Sequence, residues 1–172
     1  MQWRPFDLHP EYPPEGIARG VLDARYGGER WRAWLRSMFE AARLPAARAI
    51  EKVPNSRKAL RLAELARDRG LHEPLHLRLF DAYWHRGLDI GDDEVLGAEA
   101  ASAGLDEAQV RGLLAGDQHL DRVLIETERA HSLGVTGVPT WLVDERLLIP
   151  GAQPHELFEP VLERIGHAPR AA

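Results

Sequence analysis

Cysteine is absent from all 172 residues. That excludes disulfides, zinc–thiolate and iron–sulfur centres, and any cysteine nucleophile. No apolar run approaches the ~20 residues that a membrane-spanning helix needs. Positive charge is not in excess either: 22 Lys and Arg stand against 27 Asp and Glu, a formal net charge of −5. A nucleic-acid-binding protein is expected to carry a basic face. The Arg30, Arg32 and Arg36 stretch is interspersed with acidic residues and reads instead as a solvated helix face. The four serines, Ser37, Ser56, Ser102 and Ser132, have no G-x-S-x-G context, and no glycine-rich phosphate loop follows a strand. Met1 to Phe6 lacks a basic start followed by an apolar stretch. No signal peptide is read there, and a cytoplasmic location is the expectation.

What is present suits one globular chain with a single core: 44% of residues are hydrophobic and 28% charged. Gln2 to Leu8, with Trp3 and Phe6, reads as a short edge strand interrupted by Pro5. Pro10 to Gly16 holds three prolines and reads as a loop. Ile17 to Tyr26 and Glu29 to Ala42 have apolar spacing near 3.6, with Gly27-Gly28 between them. Pro54-Asn55-Ser56 opens a helix that Gly70 ends. Pro74 is expected in the first turn of the next helix, which runs to about His85. Asp92-Asp93 and Asp106 cap two further helices, and a long one reaches Leu133. Thr140 to Ile149 then reads as a tight hairpin, followed by a final amphipathic helix through Leu157, Phe158, Val161, Leu162 and Ile165.

Two patterns bear on function. His72-Glu73-Pro74-Leu75-His76 fits H-E-x-x-H, a zinc-protease signature that needs both histidines one turn apart on a formed helix. With Pro74 at a helix start, His72 and Glu73 are expected to precede that helix, so no metal site is read here. The stronger pattern is Gly134-Val135-Thr136-Gly137-Val138-Pro139-Thr140-Trp141, a Gly-Val-x-Gly-Val-Pro segment leading into the hairpin. A cis bond before Pro139 would turn the chain so that Val138 offers its backbone N–H and C=O to an extended peptide. From these residues alone the alternative is an ordinary trans proline in a loop.

The order of several segments carries a resemblance. Trp3-Arg4-Pro5-Phe6-Asp7-Leu8 is followed by Asn55-Ser56 with Ala59 to Leu62, then by Phe80-Asp81-Ala82-Tyr83. Gly87-Leu88-Asp89-Ile90, Gly134 to Pro139, and Ile149-Pro150-Gly151-Ala152-Gln153 complete the series. In that order they resemble the DsbA family, in its FrnE-like branch of dithiol-disulfide isomerases. The resemblance implies an α/β thioredoxin-like fold with a large helical insertion. Residues 1–16 and 134–172 would form the thioredoxin-like part, and 17–133 the insertion. It also implies that Gly137, Val138 and Pro139 hold the substrate backbone. Family members open with a strand and a helix carrying Cys-x-x-Cys. Here that β-α unit, on the order of 30 residues, has no counterpart.

Three functional readings follow from the resemblance. The first is a thiol–disulfide oxidoreductase or isomerase scaffold acting on thiol or disulfide protein and peptide substrates, its catalytic Cys-x-x-Cys segment absent from this chain. The second is a non-catalytic peptide-binding or structural module. The third is a glutathione-dependent isomerase or transferase, disfavoured because Gly151-Ala152-Gln153-Pro154 offers no carboxylate to a glutathione amine. No cofactor, catalytic residue, nucleic-acid partner or membrane partner is expected. An open strand edge near Gln2 to Phe6 makes a homodimer the expected assembly.

Overall fold

A computed structural model describes residues 1–45, 48 and 50–166. The chain divides into two compact units, Met1–Thr127 and Glu128–Ala172. The first contains β1 (Ile17–Ala18), α1 (Arg19–Tyr26), α2 (Glu29–Ala41), β2 (Lys52–Val53), α3 (Arg57–Asp68), α4 (His72–Phe80), α5 (Asp93–Ser102) and α6 (Glu107–Ala115). A π-turn, Asp81–His85, extends α4, and α7 (Leu120–Ser132) begins in this unit and ends in the second. The second unit adds β3 (Thr140–Val143), β4 (Leu147–Pro150), a 3-10 turn at His155–Leu157 and α8 (Phe158–Arg164).

The first unit is organised around α3. Its Ala59, Leu62, Leu65 and Ala66 pack with Leu75 and Leu79 of α4, Leu96 and Ala100 of α5, and Val110 and Leu113 of α6. Leu62, Leu75, Leu96, Leu113 and Val123 are completely enclosed, each stabilising the fold by roughly 1.5–3 kcal/mol. The helix starts follow local chemistry. Asp92 accepts from the N–H groups of Glu94 and Val95, and Asp106 from that of Gln109. At α3 the N–H of Arg57 is taken by Asn55 Oδ1 at 2.9 Å, while Asn55 Nδ2 donates to the Tyr12 carbonyl at 2.7 Å. Asn55, not Ser56, is therefore the capping side chain.

Charge is buried in α3 as well as apolar surface. Arg61, 5% exposed, donates to the carbonyls of Leu113 at 2.6 Å, Gln118 at 2.8 Å, and Gly116. These groups end α6 and begin the link to α7, where carbonyls lack intrahelical partners. Glu64 faces Arg67 and Arg122, and Glu99 of α5 faces Arg78 and Arg86. Glu64 and Glu99 thus each have two guanidinium partners.

Three expectations require correction. Gln2 to Leu8 forms no strand. Two of its backbone groups are taken by side chains: Asp7 N–H donates to Thr127 Oγ1 at 3.0 Å, and the Trp3 carbonyl accepts from Arg67. Ile17 is not helical but pairs with Val53 in a short antiparallel ribbon, closing a small cluster of Tyr12, Leu22 and Val53. Gly16 makes this possible: its φ is +80°, and a Cβ there would meet the Val53 carbonyl oxygen at 2.3 Å. Residues 1–16 belong to the helical unit, because Asp7 pairs with Arg57 of α3 and Trp3 stacks on His76 of α4. Finally, α4 begins at His72. Pro74 is its third residue, which the helix accepts because the first N–H groups have no intrahelical acceptor to lose.

Candidate functional site

The second unit holds the segment singled out by sequence. The end of α7 closes at Gly134, whose φ of +89° turns the chain, and the Val135 N–H returns to the Ala130 carbonyl at 3.0 Å. His131 Nδ1 lies 3.2 Å from the Val135 carbonyl and fixes the same turn. Gly137, Val138 and Pro139 follow, with a cis Val138–Pro139 peptide bond, and the chain then enters β3. The β3–β4 hairpin is antiparallel, with Thr140 opposite Pro150 and Val143 opposite Leu147. Asp144 and Glu145 turn it with φ values of 53° and 52°. Trp141 meets Phe158 edge-on at 4.8 Å, which seats the start of α8 on the hairpin.

A shallow hollow of about 240 Å³ lies along this loop, lined by residues 134–140 with Leu148, Pro150 and Gly151. Its wall is held by two bonds. Thr140 Oγ1 donates to the Gly137 carbonyl at 2.7 Å, and Gly151 N–H donates to the Pro139 carbonyl at 2.8 Å. Val138 is 53% exposed. Neither its N–H nor its C=O has a backbone partner among the described residues. The loop therefore presents one donor and one acceptor beside an exposed apolar side chain, a set that can pair with an extended backbone. Thr140 and Gly151 were not singled out as site residues in the sequence. Gly151 lay within the Ile149-Pro150-Gly151 segment, but nothing there signals its bond to Pro139.

The other sequence candidates do not converge on chemistry. His72 and His76 do share a face of α4, with ring centroids 5.5 Å apart, contrary to the expectation from Pro74. Trp3 and Phe80 cover His76 at 4.4 and 4.6 Å. Burial, the main cause, pushes both imidazoles below their ordinary range. Among the described residues no group of three His, Cys, Asp or Glu side chains is placed to hold a metal. His85 pairs with Asp81 and His119 with Asp68. Ser37 and Ser132 bond back to carbonyls of their own helices. No helix is long and apolar enough to cross a membrane among the described residues.

A terminal hairpin and helix that follow a large set of helices are the elements of a thioredoxin-like fold of the DsbA type. The chain belongs to the family of DSBA-like thioredoxin domains, whose model matches residues 1–163. It is similar to a probable DsbA oxidoreductase from Streptomyces coelicolor, with a TM-score of 0.85 and 30% identity over 98% of this chain and 77% of the other. The uncharacterized protein YwbO of Bacillus subtilis (strain 168) is 23% identical over 94% of this chain and 80% of its own length. A solved structure from Nitrosomonas europaea shares the fold, with a TM-score of 0.54 and 18% identity over 64% of this chain and 56% of the other.

Proposed function

We propose that this chain is the substrate-holding scaffold of a DsbA-type thiol–disulfide oxidoreductase or isomerase. In this reading Gly137, Val138 and Pro139 hold an extended thiol- or disulfide-bearing peptide, and the attacking thiolate comes from outside these 172 residues. The observation that carries it is the exposed Val138 backbone, unpaired among the described residues and framed by Thr140 and Gly151. Family membership and the similarity to a probable DsbA oxidoreductase support the same reading. The lack of any cysteine favours, as a second reading, a module that binds peptides without exchanging disulfides. Both readings use the same hollow.

Amide-resolved NMR tests the shared step. Titration with an extended peptide carrying an S-methylated cysteine is expected to shift the amides of Thr136, Gly137, Val138 and Thr140 before others. A titration that leaves these four unmoved at millimolar peptide overturns both readings. Adding a separate thiol-bearing partner then divides them: disulfide exchange accelerated by this chain supports the first reading, and unchanged exchange with intact peptide binding supports the second.

A further inference from the structure

The proline-rich loop and the end of α1 build a constellation that the hollow does not use. The His9 ring stacks on Tyr12, with centroids 4.3 Å apart and 6° between planes. Its Nδ1 lies 3.2 Å from Glu11 Oε1, and its Nε2 lies 3.0 Å from the Tyr26 hydroxyl. Arg25 Nη1 donates to the same Glu11 oxygen at 2.7 Å. That bond, first among the causes, holds the Glu11 carboxyl down to about 2, so the group is ionised at neutral pH. An ionised carboxylate only accepts, and the His9 nitrogen facing it therefore carries the proton. The lone pair of Nε2 is then directed at the Tyr26 O–H. Arg25 Nη1 also lies 3.1 Å from Nδ1, but its charge-assisted bond to Glu11 is the shorter one.

The three tyrosines of the chain differ sharply. Burial pushes the phenols of Tyr12 and Tyr83 upward and keeps both protonated. Tyr26 is 40% exposed and alone among them has an imidazole nitrogen at its hydroxyl. The carboxylate–imidazole–hydroxyl order is the arrangement by which a weak oxygen nucleophile is activated.

We propose that Tyr26 is a nucleophilic modification site for activated acyl compounds, with His9 as its general base. The phenolic oxygen forms a bond to the acyl carbon, and the bond from that carbon to the leaving group breaks. His9 Nε2 takes the phenolic proton and passes it to the departing group. The product is an O-acyl tyrosine, with no change in oxidation state. Glu11 is a positioning residue, acting through the His9 tautomer.

The test uses the whole chain and N-acetylimidazole, with acetylation of each site followed by peptide mass spectrometry. Lys52 and Lys58 serve as internal references. Tyr26 is expected to react at least about tenfold faster than N-acetyltyrosinamide, a threshold set below the roughly 10²–10⁴-fold that general-base assistance supplies. The reaction should show a normal solvent deuterium isotope effect. His9→Gln should bring the rate to that of the free compound or lower, and Glu11→Gln should fall between. A Tyr26 rate at or below that of N-acetyltyrosinamide overturns the proposal; it is the result expected if Nε2 carried the proton and donated to the phenol. A rate unchanged by His9→Gln overturns it as well. If that variant does not fold, the comparison of the unmodified chain with the free compound still decides.

Discussion

Arg57 Nε donates a 2.8 Å hydrogen bond to the carboxylate of Asp7, fifty positions earlier in the chain. Asp7 is 3% exposed, and Arg57 also donates to the Pro10 carbonyl at 2.9 Å. One guanidinium thus fastens the N-terminal segment to the first turn of α3. Asp7→Asn should destabilise the protein by about 2 kcal/mol, the scale of a hydrogen bond to a charged group with one partner partly solvated. Urea unfolding of the two single variants and the double variant with Arg57→Met checks this. Strictly additive effects would mean that the pair is not coupled.

Among the described residues Arg61 has no carboxylate partner within salt-bridge distance, and its guanidinium donates to three backbone carbonyls. Arg61→Met keeps the buried stem but abandons three acceptors near the end of α6. A loss of about 3 kcal/mol is expected, from several bonds to a charged donor together. Amide exchange should locate the damage at residues 113–120, and a stability within 0.5 kcal/mol of the parent, roughly the spread for neutral surface changes, would refute the assignment.

The His72–His76 pair makes stability depend on pH. Both imidazoles titrate below the ordinary value of 6.5, chiefly through burial. Below 6.5 the unfolded chain therefore binds more protons than the folded one, and stability falls with falling pH through that window. Denaturation midpoints should drop between pH 7 and pH 5. The double change His72→Gln with His76→Gln should flatten this slope, whatever its effect on stability at pH 7. An unaltered slope would place the pH dependence elsewhere.

Disulfide chemistry should be absent from the isolated chain. Thiol–disulfide exchange proceeds by thiolate attack, and the sequence contains no thiol. Insulin reduction by dithiothreitol should match the buffer blank, and a rate clearly above it would contradict the chemical argument.

The helices after Asn55 and the terminal hairpin were legible in the sequence because their signals are local. Asp92 and Asp106 cap helices in the positions their sequence context suggests, and the β-rich run from Thr140 to Ile149 pairs with itself. Where the fold depends on distant partners, local signals failed. Trp3 and Phe6 suggested a strand, yet the segment is bound by Arg67 and Thr127. Ile17 fits a helical stripe, but its place is set by Val53, thirty-six residues later. The hollow was half legible: the Gly137-Val138-Pro139 loop stood out, whereas the bonds from Thr140 and Gly151 that frame it leave no mark in sequence. The same holds for His9 and Tyr26, joined only when α1 folds back over the proline-rich loop.

Two glycines with left-handed backbones separate two kinds of evolutionary constraint. At Gly27, φ is +92° and a Cβ would meet nothing within 4 Å. A library of variants there should grade smoothly, with Asn retained best and β-branched residues worst. At Gly16 the obstacle is the Val53 carbonyl itself, 2.3 Å from any Cβ, and no choice of side chain relieves it. Deep mutational scanning should therefore return a ranked series at position 27 and a single survivor at position 16. A lineage that loses Gly16 must re-route the β1–β2 ribbon, and insertions or deletions in the loop before β1 are the route by which it could do so.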